Sequence, residues 1–332
     1  MFKNDSEGSL SPNFDERESG SLGDSLFESA ESRDVLIVNI VVTYNRSSML
    51  RRTLFELGKR GFENIILVDN ASQDDTDQVV SEFQSRFFEL SYIRLEENLG
   101  GSGGFNAGLK YFIENFPKNA CCILHDDDSW PNFDCRELAS LDLGNVNLAA
   151  FPVVHPDGEL VTMNRPGLLD IVTKPFSLKS YFLTRRPSVI SDFNKFSSFH
   201  YSSFVGLFIS WRSVRHIGLP SGEFFIYSDD TFYTSYATMR CGYRIHNFNS
   251  VDLSFTHDCN RSTGKSLLSS RFAWHEVRNK IIFLREFSVI WPVHSLFFLA
   301  KCLILKPQRS FLISKAFFAG LTSRLTKFRP YH

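Results

Sequence analysis

The feature that most constrains the fold is an alternation of short apolar runs with segments of helical spacing, beginning at Val35. Residues 35–43 are almost entirely β-branched or apolar, which is typical of a strand buried on both faces of a sheet. Three shorter apolar runs follow, at residues 65–69, 92–95 and 121–124. The intervening segments carry apolar side chains at helical spacing, over residues 50–57, 76–87 and 105–116. This alternation predicts an α/β fold, a Rossmann-like and mostly parallel sheet with helices on both faces.

Polar residues stand at the ends of three of these predicted strands. Thr43, Tyr44, Asn45 and Arg46 close the first, Asp69 closes the second, and Asp126, Asp127 and Asp128 follow the fourth. In open α/β sheets the ligand binds at the carboxyl ends of the strands, which lie along one edge. We therefore expect these residues, although far apart in the sequence, to converge on one binding site.

The three consecutive carboxylates from Asp126 to Asp128 favour a metal site. Neighbouring carboxylates raise one another's pKa unless a cation compensates their charge. Mg²⁺ and Mn²⁺ prefer oxygen ligands and bind jointly to carboxylates and phosphates. In an extended chain Asp126 and Asp128 point the same way. The alternative is a solvated acidic turn that caps a helix starting near Pro131.

A glycine-rich segment precedes the third predicted helix. Glycines allow close backbone approach to a ligand, and a helix N-terminus favours a phosphate. The segment is neither a Walker loop nor a GxGxxG motif after the first strand, which argues against ATP or nicotinamide binding. An ordinary flexible loop with capping glycines is the alternative. The segment contains Asn98, Gly100, Gly101, Gly103, Gly104 and Asn106.

Two further features lie in the second half of the chain. Asp229 and Asp230 follow the aromatic run at residues 224–227, and His257 ends a strand-like segment. Each also has a purely structural interpretation. Paired acids often cap a helix, and a single histidine is usually structural.

Together and in this order, these segments resemble the inverting GT-A glycosyltransferases of family 2, and most closely the galactofuranosyltransferase and rhamnosyltransferase branch. Each motif is weak alone, but six in order are specific. The resemblance covers roughly residues 35–285. It departs from the family pattern at His125, where an apolar residue is commoner, and at 200–211, which lacks the tryptophan-rich stretch of polymerising galactofuranosyltransferases. The matching segments are 42–46, 68–72, 97–106, 126–128, 228–230, His257 and 274–279.

The resemblance implies a metal-dependent, inverting transfer of a sugar, with galactofuranose or rhamnose favoured. The donor would be a UDP- or dTDP-linked sugar, the acceptor a glycan or lipid-linked molecule in surface polysaccharide synthesis, and the cofactor Mn²⁺ or Mg²⁺. It assigns Asp126, Asp128 and His257 to the metal, and it makes Asp230 the catalytic base with Asp229 as its supporting neighbour. Donor binding is assigned to Thr43, Tyr44, Asn45, Arg46, Asp69, Asn98, Gly100, Gly101, Gly103, Gly104, Asn106 and Asp127.

Charge and cysteine usage narrow the partners and the location. With 36 basic and 37 acidic side chains, bulk electrostatics does not favour nucleic acid as a partner. Residues 1–34 are acidic and rich in serine and glycine, which predicts a disordered tail rather than a signal peptide. The six cysteines have no CxxC spacing and indicate a reduced, cytoplasmic protein.

Residues 286–332 predict a basic, amphipathic helical segment. No acid follows Glu286, whereas seven lysines and arginines do. Pro292, His294 and Lys301 interrupt the apolar run at 288–305, so it falls short of a transmembrane span. This composition favours helices lying in a membrane surface, on the cytoplasmic face of the inner membrane. A helical cap on the core or a dimer contact is the alternative.

Three other functions remain open beside a glycosyltransferase domain at residues 35–285. A nucleotidyltransferase would need a glycine-rich, arginine-containing loop after the first strand, where residues 43–46 stand instead. A non-catalytic binding module on the same scaffold would commonly have lost an acid or the histidine. A membrane-associated scaffold would use only the C-terminal segment. Hydrolysis of UDP-sugars with Mn²⁺, but not with EDTA, would eliminate the last two.

Overall fold

The computed structural model describes residues 35–84, 89–180, 184–248, 253–260, 271–323 and 325. The predicted acidic tail at residues 1–34 lies outside these described residues. The strands are β1 Leu36–Thr43, β2 Asn64–Asp69, β3 Glu89–Arg94, β4 Ala120–Asp126, β5 Ser129–Pro131, β6 Leu148–Ala150, β7 Val153–Val154, β8 Leu168–Leu169, β9 Thr184–Arg185, β10 Ser198–Phe199, β11 Leu207–Ser210, β12 Ile245–Asn247 and β13 Phe255–His257. The helices are α1 Ser47–Lys59, α2 Thr76–Gln84, α3 Gly100–Asn115, α4 Cys135–Ala139, α5 Asp170–Thr173, α6 Trp211–Ile217, α7 Asp229–Met239, α8 Ala273–Phe287, α9 Trp291–Leu305 and α10 Ser310–Thr322.

The described strands form one large sheet and two small ones. The large sheet has eight strands in the order β10-β12-β6-β11-β4-β1-β2-β3. Strand β1 pairs in parallel with both β2 and β4, and β2 pairs in parallel with β3. Strand β11 runs antiparallel to β4 and β6. A small sheet has the strand order β5-β13-β7. In it the end of β13 pairs with the start of β5, which follows shortly after β4. The predicted mostly parallel sheet is confirmed.

Alternate residues of the central strands enter two separate cores. Ile37 and Val41 of β1 pack with α1 and α2 on one face, whereas Val38 and Ile40 pack with α3 on the other. The adjacent cysteines of β4 divide in the same way, and both are buried free thiols. Burial of successive residues on opposite faces explains the near-continuous apolar runs.

The glycine-rich segment differs from its prediction, because helix α3 begins at Gly100 and includes the later glycines. A Cβ atom on Gly104 would lie 2.4 Å from Cγ1 of Val42, and one on Gly108 would lie 2.5 Å from Cγ2 of Ile40. These two glycines therefore bring the helix close to β1. Only Gly100 of this group has a positive φ, 71°, in the conformation that glycine tolerates best.

The C-terminal helices form a third core. Ile313, Ala316 and Phe317 of α10 are buried against α8, and the close approach depends on Gly320, where a Cβ would lie 2.7 Å from the carbonyl oxygen of Arg278. Helix α10 therefore caps the core, which was one of the alternatives that the sequence left open for the C-terminal segment. Among the described helices, none combines the length and apolar character that a membrane crossing needs.

Candidate active site

The ends of the central strands meet at one edge of the sheet, as predicted. Thr43 is the register partner of Asp69, and Val42 is the partner of Asp126. The side chains that follow these strands then interact directly. The hydroxyl of Thr43 donates to Oδ2 of Asp127 at 2.7 Å, across 84 residues of sequence. The edge therefore gathers the polar residues into one site.

Arg46 contacts two of the three acids. Its Nη1 lies 2.7 Å from Oδ2 of Asp128 and 3.3 Å from Oδ1 of Asp127. Asp127 is also held through its backbone, because its carbonyl accepts a hydrogen bond from Thr53 Oγ1 at 2.7 Å. Arg46 is half exposed whereas both carboxyls are buried, so its guanidinium covers the acids from the solvent side. It can therefore offset their charge and meet an anionic ligand.

The predicted metal ligands lie together. One ligand atom each of Asp126, Asp128 and His257 fall within 4.8 Å of one another. Nε2 of His257 lies 2.9 Å from Oδ1 of Asp128, a buried oxygen with no other hydrogen-bond donor among the described residues. Two carboxylates and an imidazole are a donor set suited to Mn²⁺ or Mg²⁺. These residues therefore fit a divalent cation.

Asn164, which no sequence pattern indicated, orients the histidine. Ser203 Oγ donates to the carbonyl of Val205 at 3.2 Å and so accepts from Nδ2 of Asn164 at 2.9 Å. Oδ1 of Asn164 then faces Nδ1 of His257 at 2.8 Å, so Nδ1 carries the proton. Nε2 faces Oδ1 of Asp128 and donates its own proton there, and a cation that displaced this proton would meet the Nε2 lone pair, with the ring held from behind by Asn164.

The charges of this cluster are strongly perturbed. Burial raises the pKa of Asp126 to about 6 and that of Asp127 to about 7, and in both cases the charge of Asp128 adds to the rise. Burial also opposes ionisation of Asp128, but His257 and Arg46 outweigh it and lower the pKa of this carboxyl. Burial disfavours the charged form of His257, yet Asp128 raises its pKa to about 10. A cation in place of the proton would relieve these costs.

The acid pair lies at the start of α7, close enough to the metal cluster for Asp126 to influence it. Burial, followed by the charges of Asp230 and Asp126, raises the pKa of Asp229 well above its ordinary value. The pKa of Asp230 is also raised by burial, but hydrogen bonds from Thr231 oppose the rise. The backbone N–H and the hydroxyl of Thr231 lie 2.6 and 3.2 Å from Oδ1 of Asp230, and these donors favour the ionised form of Asp230.

The loop before this pair is strained and tightly held. Phe225, Tyr227 and Ser228 have φ angles of 64°, 67° and 65°, which cost energy in residues other than glycine. Nδ2 of Asn279, a fully buried residue of α8, lies 3.1, 2.9 and 2.8 Å from the carbonyl oxygens of Phe224, Ile226 and Tyr227. Asn279 thus fixes the backbone that delivers Asp229 and Asp230 to the site.

Gly100 lies against the same loop. A Cβ on Gly100 would be 2.0 Å from the carbonyl oxygen of Phe225, and this oxygen accepts a hydrogen bond from the backbone N–H of Ser102 at 3.3 Å. The glycine is therefore required by contact between the start of α3 and the loop that carries the acids. The segments predicted for donor binding and for catalysis are in direct contact.

The remaining predicted donor residues have diverse surroundings. Asp69 is fully buried and accepts from the backbone of Ser72 and the hydroxyl of Tyr92, both at 2.8 Å, so it holds its own turn and has no exposed oxygen. Tyr44 is 42% exposed beside Asn45, whose Oδ1 accepts from the backbone of Gln73 at 2.7 Å.

Two predicted asparagines brace the glycine-rich segment. Oδ1 of Asn98 accepts from Gly100 N at 2.8 Å, and Nδ2 of Asn106 donates to Pro220 O at 2.6 Å. His125, at which the sequence departs from the family pattern, directly precedes Asp126 in β4, so its side chain is buried on the face of the strand opposite to that of Asp126. Its Nε2 lies 3.2 Å from Oδ1 of Asn39, and burial lowers its pKa to about 4, so it is a neutral structural residue.

Comparison with known proteins agrees with this geometry. Residues 39–203, about half of the chain, match the family model "Glycosyl transferase family 2". The structure of GalNAc-T7 with UDP, GalNAc and Mn²⁺ is 13% identical with a TM-score of 0.61, over 86% of this chain and 55% of that one. The structure of S. aureus TarS 1–349 with UDP-GlcNAc is 14% identical with a TM-score of 0.51, over 86% and 81%. A search of curated proteins finds no significant match.

The fold and the site therefore define a glycosyltransferase of the GT-A type. Over residues 39–203 it is similar to glycosyl transferase family 2.

Proposed function

We propose that this enzyme is an inverting, metal-dependent glycosyltransferase that uses a UDP- or dTDP-linked sugar. The observation that carries the proposal is the convergence of Asp126, Asp128 and His257 within 4.8 Å, beside the acid pair Asp229 and Asp230, of which Asp230 accepts hydrogen bonds from Thr231. Such an arrangement suits a reaction in which a diphosphate leaves and a hydroxyl attacks. The two structural neighbours bind UDP and UDP-GlcNAc, so UDP is the first nucleotide to test.

Asp126, Asp128 and His257 would hold the cation, Mn²⁺ or Mg²⁺. When bound, the ion supplies Lewis-acid stabilisation of the charge that develops on the departing nucleoside diphosphate. Arg46 and Thr43 fix Asp127 and Asp128 in place, and the half-exposed guanidinium of Arg46 is positioned to meet phosphate oxygens. Asn164 keeps the proton of His257 on Nδ1, facing away from Asp128.

Asp230 acts as the general base. It takes the proton of the acceptor hydroxyl while that oxygen bonds to the anomeric carbon, and the bond between this carbon and the diphosphate oxygen breaks. A single displacement inverts the anomeric centre. Asp229, whose pKa is raised by burial and by the charge of Asp230, keeps its own proton and can donate a hydrogen bond. This division of roles requires one ionised carboxyl and one protonated carboxyl.

The transferred sugar and the acceptor belong to the same proposal. We favour galactofuranose or rhamnose as the sugar, because segments 42–46, 68–72, 97–106 and 274–279 resemble those of transferases for these sugars. A glycan or lipid-linked acceptor in surface polysaccharide synthesis follows from the same resemblance.

Hydrolysis and binding assays test the proposal. The protein should hydrolyse one member of a panel of UDP- and dTDP-sugars with Mn²⁺ and none with EDTA. Asp128→Asn should weaken the binding of UDP and Mn²⁺ together, whereas Asp134→Asn, at the start of α4, is the matched control. Unchanged UDP affinity in Asp128→Asn would contradict the metal assignment. Absence of hydrolysis across the panel would favour a non-catalytic binding module.

The C-terminal helices support a peripheral location on an anionic membrane. Helix α9 exposes apolar side chains along one stripe, including Leu296 at 61% and Ile304 at 79% exposure, and α10 exposes Phe311 at 83%. Lys301 and Lys315 are exposed on the same two helices, and no acid follows Glu286. An exposed apolar surface with only basic charges is complementary to an anionic lipid surface, whereas a second copy would bring like charges together.

Vesicle flotation tests this location. Full-length protein should float with vesicles containing anionic lipid and less with neutral ones. The double variant Phe311→Ser and Phe318→Ser should reduce flotation. The control Phe55→Ser makes the same substitution at an exposed phenylalanine of α1 and should not reduce flotation. Equal flotation of all three proteins would contradict membrane association through these helices.

A further inference from the structure

A short loop between α5 and β9, from Lys174 to Lys179, exposes apolar side chains. We name it the 174–179 loop. Its backbone forms two successive turns, because Ser177 N donates to the carbonyl of Lys174 at 3.1 Å and Ser180 N donates to that of Ser177 at 3.0 Å. Phe176 is nevertheless 73% exposed and Leu178 47% exposed. Exposed apolar side chains that are grouped in one loop, unlike scattered single ones, indicate an interaction surface.

A buried histidine attaches this loop to α9. His294, in the first turn of α9, is fully buried. Its Nε2 lies 3.0 Å from the carbonyl oxygen of Ser177, and its Nδ1 lies 2.6 Å from Oγ of Ser288. Because a carbonyl only accepts, Nε2 carries the proton and Nδ1 accepts from the hydroxyl of Ser288. Oγ of Ser180 also lies 3.4 Å from Nε2. His294 therefore joins the loop, the residue after α8, and α9.

This contact places the loop beside the exposed apolar stripe of α9. Ser177, whose carbonyl meets His294, stands between Phe176 and Leu178 in the chain, and Val293 directly precedes His294. The loop therefore adjoins the N-terminal end of the stripe. The exposed residues of α9 recur every four positions along one side of the helix and are apolar apart from one lysine. They are Pro292, Val293, Leu296, Phe297, Ala300, Lys301, Ile304 and Leu305.

Packing below the surface also holds the loop and α9 together. Ile171 of α5, just before the loop, is buried in the third core. The same core contains Ile281 of α8, Cys302 of α9 and Ile313 of α10. The position of the loop beside α9 is therefore fixed by apolar packing as well as by the hydrogen bond from His294.

The charges of the loop match those of the C-terminal helices. Lys174 and Lys179 are its charged residues, and both are exposed. The chain has no acid between Asp170, which is buried, and Asp192. Exposed apolar side chains flanked only by lysines are complementary to an anionic lipid surface. A second copy of the chain would instead bring like charges together.

We infer that the 174–179 loop is a second membrane contact, which inserts Phe176 and Leu178 into the surface of an anionic bilayer beside α9. Lys174 and Lys179 lie against lipid phosphates in this arrangement. The inference rests on the membrane location proposed above and adds an element from a different part of the chain. A single helix in a bilayer surface can rotate about its long axis, whereas a second element attached to its side prevents this rotation. The two contacts together therefore fix the orientation of the active site relative to the membrane.

Partition into vesicles of phosphatidylcholine and phosphatidylglycerol tests the apolar residues of the loop. The double variant Phe176→Ser and Leu178→Ser should bind these vesicles about tenfold more weakly or less, because two apolar side chains no longer leave water. The matched control, Phe55→Ser and Leu141→Ser, makes the same two changes at exposed residues of α1 and just after α4, and should bind like the wild type. Wild-type binding by the loop variant, or an equal loss in the control, would overturn the inference.

A second pair of variants tests the lysines. Lys174→Gln with Lys179→Gln should weaken binding to the anionic vesicles about tenfold at low salt, and should leave binding to phosphatidylcholine alone unchanged. The control, Lys59→Gln with Lys110→Gln, removes two charges from exposed positions of α1 and α3. An equal loss in both pairs would show that overall charge, and not the loop, is responsible, which would contradict the inference.

A tryptophan placed in the loop reports insertion directly. The fluorescence that Phe176→Trp adds to the wild-type signal should be quenched by vesicles with brominated acyl chains, whereas that added by Phe55→Trp should not. Absence of quenching at position 176 would refute insertion of the loop. A shift in this fluorescence with protein concentration, in the absence of vesicles, would identify a second copy as the occupant and would also refute it.

Two comparisons separate this inference from the proposed function. Mn²⁺-dependent UDP binding should stay within about twofold in every loop variant, and its absence from the wild type would contradict the proposed function while leaving the vesicle results in force. Flotation that falls in the Phe311→Ser and Phe318→Ser variant, but not in the Phe176→Ser and Leu178→Ser variant, would contradict this inference alone. Absence of flotation in the wild type would contradict both the proposed location and this inference.

Discussion

Replacing Asn279 by leucine should release the loop that positions the acid pair. The amide group has two hydrogens shared among the carbonyls of Phe224, Ile226 and Tyr227. The Phe224 carbonyl also accepts from Ile226 N at 2.8 Å and keeps that donor after the substitution. A buried carbonyl that loses its donor costs about 1–3 kcal/mol, so the substitution should destabilise the protein by about 3 kcal/mol.

The loss should be visible in both stability and activity. At about 2–4 °C per kcal/mol for a domain of this size, the unfolding temperature of Asn279→Leu should fall by roughly 6–12 °C. The strained angles of Phe225, Tyr227 and Ser228 should relax once the amide is gone, and hydrolysis of the donor should fall at least about tenfold as Asp230 moves.

An exposed asparagine provides the control. Nδ2 of Asn115 donates to one carbonyl, that of Tyr111, at the exposed end of α3, so Asn115→Leu should change stability by less than about 0.5 kcal/mol. Calorimetric unfolding and hydrolysis of the same nucleotide sugar are measured on both variants. If Asn279→Leu unfolds within about 1 °C of the wild type and retains normal turnover, the loop does not depend on this amide and the reasoning is wrong.

Three other predictions concern the same site. Asp230→Asn preserves shape but removes the base, so transfer should fall about 100-fold or more while UDP affinity, measured by calorimetry, stays constant; a variant that lost UDP binding would place Asp230 among the donor contacts instead. Burial and the charge of Asp128 raise the pKa of Asp126 to about 6 and that of Asp127 to about 7, above the unfolded value of 3.8. As pH rises from the unfolded pKa through the folded ones, these carboxyls must ionise in a buried site, so the protein loses stability over this pH range. The unfolding temperature in EDTA should therefore fall between pH 5 and pH 8, and Mn²⁺ should restore more of it at pH 8; an equal Mn²⁺ effect at both pH values would argue against these shifts. Asn164→Leu removes the acceptor for Nδ1 of His257 and should weaken Mn²⁺ binding about tenfold in calorimetric titration, a result that unchanged affinity would contradict.

Much of the site followed from local sequence. The β-branched runs predicted β1, β2 and β4 because burial on both faces leaves few polar positions. The polar residues after these strands then had to share an edge, and the register of Thr43 with Asp69 and of Val42 with Asp126 confirms this. The grouping of Asp126 with Asp128 was also predictable, because two acids at alternate positions of an extended chain share a side.

The glycine-rich segment shows where local reasoning fell short. The sequence predicted glycines that let a phosphate approach, and their use in donor binding stays a prediction. In the structure Gly104 and Gly108 lie inside α3 and give it close contact with Val42 and Ile40. Glycine satisfies both needs in the same way, by the absence of a side chain, so the residue type alone could not separate them.

The supports of the site were decided by tertiary structure. Asn164 contacts His257 across 93 residues, and Asn279 contacts the carbonyls of the acid-bearing loop across 52 to 55 residues. Strands and helices are predictable because burial imposes a period on neighbouring residues. Single polar contacts between distant segments impose no period, and only the folded arrangement of the segments determines which side chain meets which partner.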